Sequence, residues 1–285
     1  MRILVTGVNG QLGHDVVRHL KELGIEHRGV DMADFDLTDE TEVMSYVTEY
    51  APDAIIHCAA YTAVDKAETD VVNCMRVNGA GTLYLVRAAT AVDASLLYVS
   101  TDYVFDGQGD QPFETTSTLG PQNVYGLSKL QGEYAVKGQM KRFFIVRTSW
   151  VYGLNGKNFV KTMRRLGREK NRLNVVCDQI GSPTFSDDLA VLLCQMIQTQ
   201  QYGIYHATNE GFCSWAEFAE EIMLTSHLKC EINPVPTSEY PTPARRPLNS
   251  RMSKNSLERA GFARLPSWED ALHRYIQQLQ QEGVE

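Results

Sequence analysis

The 285-residue chain has no long apolar run, no excess of positive charge and no recognisable secretion signal. Its longest uncharged apolar stretch, residues 54–64, is far shorter than the roughly 20 residues needed to span a bilayer. The formal net charge of −8 disfavours binding to nucleic acid or to an anionic membrane. The apolar run before the first glycine is too short for the core of a signal peptide. We therefore expect a cytoplasmic protein with neither a nucleic-acid nor a membrane partner.

The cysteines and histidines lack the spacings that mark metal sites and small disulfide-stabilised folds. The six cysteines contain no C-x-x-C pair, so we expect reduced and mostly buried thiols. The seven histidines include no H-x-x-x-H pair, which disfavours a zinc site. The chain does have an ordinary globular composition, 43% hydrophobic and 22% charged, which suits one large domain or two unequal ones.

Strand-like and helix-like segments alternate through the first half of the chain. Apolar, β-rich runs predict strands at 2–6, 26–31, 54–58, 96–100 and 143–147. Helical spacing of apolar residues predicts helices between them, at 12–23, 39–50, 77–92 and 123–137. Strands that are apolar throughout indicate a sheet covered on both faces. The alternation therefore predicts an α/β fold with a doubly wound, Rossmann-like parallel sheet.

The alternation weakens after residue 147, where loops rich in proline and polar residues separate the helical segments. The helices predicted in this half are 159–169, 186–198, 214–227, 254–260 and 268–280. The loop 234–249 carries five of the chain's ten prolines, and a loop of this length is usually functional or disordered. We expect a smaller substrate-facing domain over 148–285, with some of its elements returning to a first domain over 1–147.

Three glycines in a G-x-x-G-x-x-G spacing, Gly7, Gly10 and Gly13, follow the first predicted strand. Gly7 permits a tight turn, Gly10 lets a pyrophosphate approach the backbone, and Gly13 lets the next helix pack closely. The N-terminus of that helix offers free N–H groups to the phosphates. A glycine-rich turn can be purely structural, but its β-α-β context favours dinucleotide binding by the 1–147 domain.

The second predicted strand ends at Asp31. An acid in this position can accept hydrogen bonds from the two ribose hydroxyls of NAD and repel the additional phosphate of NADP. The alternative is a solvated loop acid, because Asp34, Asp36 and Asp39 lie in the same segment.

Tyr125 and Lys129 are four residues apart in a predicted helix and therefore lie on one face. An adjacent ammonium group favours the phenolate and lowers the pKa of the phenol. Such a phenol can protonate a carbonyl oxygen as hydride reaches the carbon. A Y-x-x-x-K match often arises by chance. Its helix, however, follows a strand that ends in Ser100 and Thr101, at the edge where open α/β sheets bind ligands.

With these motifs the chain resembles the extended, nucleotide-sugar-modifying branch of the short-chain dehydrogenase/reductase superfamily, and within it the dTDP-4-dehydrorhamnose reductases. The resemblance covers essentially the whole chain. The glycine loop and the Y-x-x-x-K motif are common to the superfamily. The more specific segments are A-A-Y-T-A-V-D at 59–65, T-D-Y-V-F at 101–105, R-T-S-W-V-Y at 147–152, G-S-P-T at 181–184 and R-P at 246–247.

The resemblance implies that Tyr125 donates a proton, that Lys129 binds the nicotinamide ribose, and that Thr101 hydrogen-bonds to the sugar carbonyl. The cofactor contacts that it implies are Gly10, Gln11, Leu12, Asp36, Leu37, Ala60, Tyr61 and Thr62. Either NADH or NADPH is expected as cofactor.

Asp102 and Trp150 are implied to contact the sugar nucleotide. Trp150 could instead be a core residue, and Asp102 could instead cap a turn. Arg246 could bind a substrate diphosphate through its guanidinium fork or lie in solvent. Some relatives hold magnesium at a dimer interface through glutamates near the first helix. Here that helix has the shorter Asp15, so we predict no metal, and whether the chain forms a homodimer stays open.

The implied reaction is the NAD(P)H-dependent reduction of the 4-keto group of dTDP-4-dehydro-L-rhamnose to dTDP-L-rhamnose. One alternative is an epimerase or dehydratase of nucleotide sugars on the same fold. Another is a non-catalytic regulatory subunit of the methionine adenosyltransferase type, which the intact set of Thr101, Tyr125 and Lys129 disfavours. Dehydratases of this branch carry Thr-Asp-Glu after the fourth strand. Tyr103 replaces that glutamate here, and a phenol is a poor base at neutral pH.

Overall fold

The computed structural model describes residues 1–283. Its strands, in chain order, are β1 (Arg2–Thr6), β2 (Glu26–Val30), β3 (Ala54–His57), β4 (Ser95–Thr101), β5 (Phe143–Thr148), β6 (Val151–Tyr152), β7 (Arg172–Val176), β8 (Ile180–Gly181), β9 (Thr184–Phe185), β10 (Gly203–His206), β11 (Cys213–Ser214) and β12 (Glu231–Val235). Its α-helices are α1 (Gln11–Glu22), α2 (Glu40–Tyr50), α3 (Val64–Ala67), α4 (Val71–Met75), α5 (Thr82–Ala91), α6 (Val124–Gln139), α7 (Phe159–Glu169), α8 (Ser186–Met196), α9 (Trp215–Thr225), α10 (Asn255–Arg259) and α11 (Trp268–Gln281).

Six of these strands form one sheet in the order β10-β5-β4-β3-β1-β2. Every neighbouring pair in it is parallel, so the predicted doubly wound parallel sheet is confirmed. The order reverses at β1, because β2 lies on one side of it and β3 to β5 lie on the other. A cleft opens at the carboxyl edge of a parallel sheet where the strand order reverses in this way.

The two edges of the sheet differ from the sequence-based expectation. The inner strands β1, β3, β4 and β5 are almost wholly buried, because helices cover both faces. In β2, by contrast, Val30 is the buried residue and the other four are exposed or partly exposed. The prediction that all the strands are apolar is therefore wrong for β2, since an edge strand can remain polar. The opposite edge is β10, which the sequence analysis did not predict.

The predicted helix 77–92 begins earlier than expected and contains an irregular turn. Helix α4 leads into a π-helical turn at Arg76–Gly81 and then into α5. The amide of Asn78, in that turn, donates to the Tyr61 carbonyl at 3.1 Å and to Ser128 Oγ at 2.9 Å. It also accepts from the Tyr61 N–H at 2.8 Å. The π turn thus holds the segment after β3 against helix α6, and such turns frequently occur at functional sites.

The second half of the chain contributes to two different cores. Residues of α8 and Tyr205 of β10 pack with β1, β3, β5 and α1. A separate cluster is built around the aromatic residues Tyr152, Phe185, Phe218 and Tyr275. Three short strand pairs, β6 with β9, β7 with β12, and β8 with β11, surround that second cluster. The division into domains 1–147 and 148–285 stays a prediction.

Three further features concern the described residues as a whole. The six cysteines are free thiols, four of them buried. Within residues 1–283, no group of three or more His, Cys, Asp or Glu side chains is arranged to hold a metal ion. No helix in that range combines the length and hydropathy required to cross a bilayer.

Asp15 of α1 is the residue on which the prediction of no metal was based. It is 1% exposed and accepts a hydrogen bond from Ser186 Oγ.

Candidate active site

A cleft of about 680 Å³ lies at the carboxyl edge of the sheet and extends to the second half of the chain. Its volume is in the range typical of small-molecule sites. The predicted site residues that line it are Gly7, Gly10, Gln11, Leu12, Gly13, Asp31, Asp36, Leu37, Ala60, Thr62, Thr101, Asp102, Tyr125, Lys129 and Trp150. Tyr61 and Arg246 are the predicted residues that do not line it. The structure therefore brings almost all of the predicted set into one cavity.

The glycine loop forms one end of the cleft. Gly7 has φ +75°, and a Cβ atom there would lie 2.6 Å from the Ala59 backbone. A Cβ atom on Gly13 would lie 2.3 Å from the Gly7 carbonyl oxygen, so α1 can begin close to β1 only without a side chain there. Gly10 caps α1 without a side-chain hydrogen bond. The N–H groups of the first turn are thus free for an anion, and this cradle fits the pyrophosphate of a dinucleotide.

Two predicted cofactor residues are also anchors for the loop. The Asp31 carboxylate accepts hydrogen bonds at 2.9 Å from the N–H groups of Asn9 and Met32. Gln11 Oε1 accepts from the Gly153 N–H at 2.8 Å and from Asn158 Nδ2 at 3.0 Å. A phosphate contact by Gln11 would therefore involve its backbone N–H, because its amide oxygen already binds the second half of the chain. The ribose contact of Asp31 stays a prediction.

The residues predicted to contact adenine and ribose lie farther along the same wall. The Asp36 carboxylate accepts from the Thr38 N–H at 2.8 Å, and this bond lowers the pKa of Asp36. Leu37 packs where a Cβ atom on Gly81 would lie, 2.8 Å from Leu37 Cγ. The Tyr61 hydroxyl donates to Asp70 at 3.1 Å. The Tyr61 side chain is thus engaged outside the cleft, while its neighbours Ala60 and Thr62 line it.

Tyr125 and Lys129 lie in the first two turns of α6, as predicted. Asn123 caps this helix by accepting from the Gly126 N–H at 2.8 Å. Lys129 is 3% exposed, and its Nζ lies 4.2 Å from the centroid of the Tyr98 ring. Burial lowers the pKa of Lys129 to about 7, although the Glu133 carboxylate acts in the opposite direction. The ammonium form is thus held mainly by nearby charge and by the ring face rather than by water.

The expectation that Lys129 lowers the pKa of the Tyr125 phenol is wrong for this arrangement. Burial raises the pKa of Tyr125 well above its usual range, and the charge of Asp102 raises it further. Desolvation is the largest cause of the rise, because the phenolate would lose its water in this environment. Tyr125 is consequently a protonated phenol at neutral pH, which is the form that a proton donor needs.

Asp102 is fixed by two hydroxyl groups, one from its neighbour Thr101 and one from the distant Ser250. Thr101 Oγ1 donates to Asp102 Oδ1 at 3.0 Å, and Ser250 Oγ donates to Asp102 Oδ2 at 2.5 Å. Burial raises the pKa of this carboxyl group to about 6, although both hydroxyls act against the rise. The turn after β4 is capped by Thr101, which accepts from the Tyr103 N–H, and not by the Asp102 side chain. Both carboxylate oxygens of Asp102 are thus held by hydroxyl groups, and the residue lines the cleft.

Trp150 adopts a strained backbone in the wall formed by the second half of the chain. Its φ of +51° lies in the left-handed region, which costs a bulky residue on the order of 1 kcal/mol or more. Its ring stacks on Trp215, with centroids 3.7 Å apart. Both rings line the cleft and neither is fully buried. Such strain clusters at functional sites, so the position fits a ligand platform better than a core residue.

Arg246 is paired with protein groups beside the cleft. Its guanidinium donates to Asp65 Oδ2 at 2.6 Å and to the Tyr103 hydroxyl at 3.0 Å. Burial raises the pKa of Tyr103, so this phenol stays neutral at physiological pH. Arg246 lines a small adjoining pocket with Tyr103, and its diphosphate role stays a prediction.

Sequence reasoning missed Trp215 and Ser250 as site residues. Ser250 follows the R-P segment that carried part of the resemblance, which was a signal for it. Trp215 offered no signal, since it is a lone aromatic at the start of a helix.

Comparison with known proteins shows which family the chain matches. Residues 1–281 match the family described as RmlD substrate binding domain. The chain is 40% identical to the spore coat polysaccharide biosynthesis protein SpsK of Bacillus subtilis, covering 97% of each chain. It is 40% identical to the dTDP-4-dehydrorhamnose reductase of Sinorhizobium fredii, covering 99% of each. The crystal structure of the dTDP-4-dehydrorhamnose reductase of Bacillus anthracis in complex with NADP is 42% identical, with a TM-score of 0.95 over 97% of this chain and 99% of that one.

Proposed function

The chain belongs to the RmlD substrate binding domain family, and from this premise we propose that it reduces the 4-keto group of dTDP-4-dehydro-L-rhamnose to give dTDP-L-rhamnose. NADH or NADPH is the reductant. The observation that carries the proposal is one cleft that contains the glycine loop at one end and Thr101, Tyr125 and Lys129 along its wall. The relatives named as reductases, and the one bound to NADP, support the same activity.

The chain's own residues supply binding and one proton. The N–H groups at the start of α1 would hold the phosphates of a dinucleotide, which would supply the hydride for C4 of the sugar. The Tyr125 hydroxyl, protonated at neutral pH, gives its proton to O4, while the Thr101 hydroxyl hydrogen-bonds to the same oxygen. Lys129, four residues farther along α6 and lining the same cleft, would bind the nicotinamide ribose.

The geometry disfavours a dehydratase and a non-catalytic regulatory subunit. A dehydratase needs a base at position 103, and burial keeps the phenol there neutral. A regulatory subunit would not need a buried lysine at this position, because burying an ammonium group costs free energy that binding alone does not require. Thr101, Tyr125 and Lys129 together therefore favour catalysis.

The proposed activity has consequences for the cofactor and for the location of the protein. The Asp31 carboxylate, predicted to accept the ribose hydroxyls, already accepts hydrogen bonds from two N–H groups. A 2′-phosphate would therefore meet a partly neutralised charge, and both NADH and NADPH are usable. The free thiols suit the reducing cytoplasm, where nucleotide sugars would serve as substrates. A homodimer stays a prediction.

Product analysis tests the proposal. The protein is incubated with dTDP-4-dehydro-L-rhamnose and NADPH, and separately with dTDP-glucose and NAD⁺. We expect oxidation of NADPH only with the keto sugar, and no loss of water from dTDP-glucose by mass spectrometry. A dehydrated product would overturn the proposal in favour of a dehydratase, and no reaction with either sugar would favour a non-catalytic role.

A further inference from the structure

One loop of the second half, residues 153–158, lies across the glycine loop. It connects β6 to α7. Asn155 Nδ2 donates to the Asn9 carbonyl oxygen at 2.7 Å, and Gly153 and Asn158 both donate to the Gln11 side chain. On its far side the ammonium of Lys161 donates to the Gly156 carbonyl at 3.0 Å. The loop is therefore fixed at both ends against the segment that cradles the phosphates.

Lys157 is the second-last residue of this bridging loop, next to the N-terminus of α7. Among the described residues, Lys129 and Lys157 are the two cationic side chains that line the cleft. Lys129 is buried beside Tyr98, whereas Lys157 is exposed. Within residues 1–283, the Lys157 side chain forms no ion pair and no hydrogen bond. Its neighbours in the bridging loop bind the glycine loop, so its charge is available to a ligand there.

We propose that Lys157 binds the diphosphate of the dinucleotide cofactor, from the side opposite the glycine loop. This inference rests on the proposed function, because it assumes that the cleft binds NAD(P)H. The first-turn N–H groups of α1 supply partial positive charge on one side of the phosphates. Lys157 supplies a full charge on the other side, in a chain whose net charge is −8. The second half of the chain thereby contributes to cofactor binding as well as to substrate binding.

The alternatives for Lys157 are distinguished by which ligand loses affinity. A contact with the diphosphate weakens NADH and NADPH equally, because both carry that group. A contact with the 2′-phosphate weakens NADPH alone. A contact with the sugar nucleotide leaves both cofactors unchanged and raises the KM for the sugar. The size of the effect follows from the loss of one charge-assisted hydrogen bond, on the order of tenfold in Kd.

Direct binding of cofactor to the protein, measured by calorimetry, tests the inference without requiring turnover. We expect Lys157→Met to raise the Kd for NADH and for NADPH by the same factor, about tenfold, and Lys157→Arg to restore most of the affinity. Added salt should weaken wild-type binding more than it weakens the Met variant. The matched control is Lys170→Met, an exposed lysine at the end of α7 outside the cleft, which should leave both Kd values unchanged.

An unchanged Kd in Lys157→Met, or an effect on NADPH alone, would overturn the inference and leave the reductase proposal intact. An increase confined to the KM of the sugar nucleotide would also overturn it. Failure of the wild-type protein to bind either cofactor would overturn the proposed function itself.

Discussion

The two walls of the cleft are built in different ways. The wall from the first half rests on parallel strands and two helix N-termini, and its groups are backbone N–H groups and titratable side chains such as the half-buried Tyr125 and the buried Lys129. The wall from the second half consists of loop residues and stacked rings, held by contacts such as Ser250 to Asp102. The residues proposed to carry the chemistry, Thr101, Tyr125 and Lys129, lie on the first wall, whose geometry is set by the sheet. The second adapts the same sheet to a particular ligand.

The sharpest test of this division is the removal of one hydroxyl from the first wall. Tyr125→Phe should lower kcat by about 10²–10⁴, the usual contribution of general acid catalysis. Cofactor affinity should change little, since the ring remains in place. Steady-state kinetics and cofactor binding measure the two quantities. A Tyr125→Phe enzyme with nearly wild-type kcat would contradict the assignment of the proton donor.

Asp102, where the two walls meet, should reduce stability at neutral pH. Its folded pKa of about 6 lies above the usual value of 3.8, so folding favours the protonated form. The protonated carboxyl group stabilises the folded state fully below about pH 4, and this stabilisation is lost as the pH rises through 6. Asp102→Asn, which is never charged, should raise the free energy of unfolding at pH 8 by about 2–3 kcal/mol relative to wild type.

Denaturant unfolding at pH 4 and at pH 8 measures this difference, and the gain should be much smaller at pH 4. The same variant should lose activity, because the carboxylate faces the cleft. A variant no more stable than wild type at pH 8 would mean that the buried carboxylate is not destabilising.

Asp31→Ala should give the smallest effect of the three variants. The Asp31 carboxylate lines the cleft and also accepts a hydrogen bond from the Asn9 N–H. Asp31→Ala should shift the ratio of kcat/KM values towards NADPH by several-fold, on the order of 1 kcal/mol, because a negative charge near the 2′-phosphate is removed. Glu49→Ala, which removes an exposed acid on α2 outside the cleft, is the control. An unchanged cofactor ratio in Asp31→Ala would mean that this carboxylate does not face the ribose.

The first wall was the predictable one. Local signals mark it. The glycine loop and the Y-x-x-x-K pair each span fewer than about ten residues, and each strand is marked by its own short apolar run. Burial nevertheless reversed the predicted direction of the Tyr125 pKa, because periodicity does not reveal how completely a helix face is desolvated.

The second wall depended on long-range contacts. Ser250 reaches Asp102 from 148 positions away, and the Gln11 side chain binds Gly153 across 142. No local pattern encodes such pairings. The edge strand β10 was missed for a related reason, since four residues that pair with β5 carry little sequence signal of their own.

Isotope transfer tests most directly the claim that both walls form one reductase site. The protein is incubated with dTDP-4-dehydro-L-rhamnose and nicotinamide cofactor deuterated at the transferable position of C4. The account predicts one deuterium at C4 of dTDP-L-rhamnose for each cofactor oxidised, detected by mass spectrometry and NMR. Cofactor oxidation without deuterium at C4 of the sugar, or no oxidation at all, would contradict it.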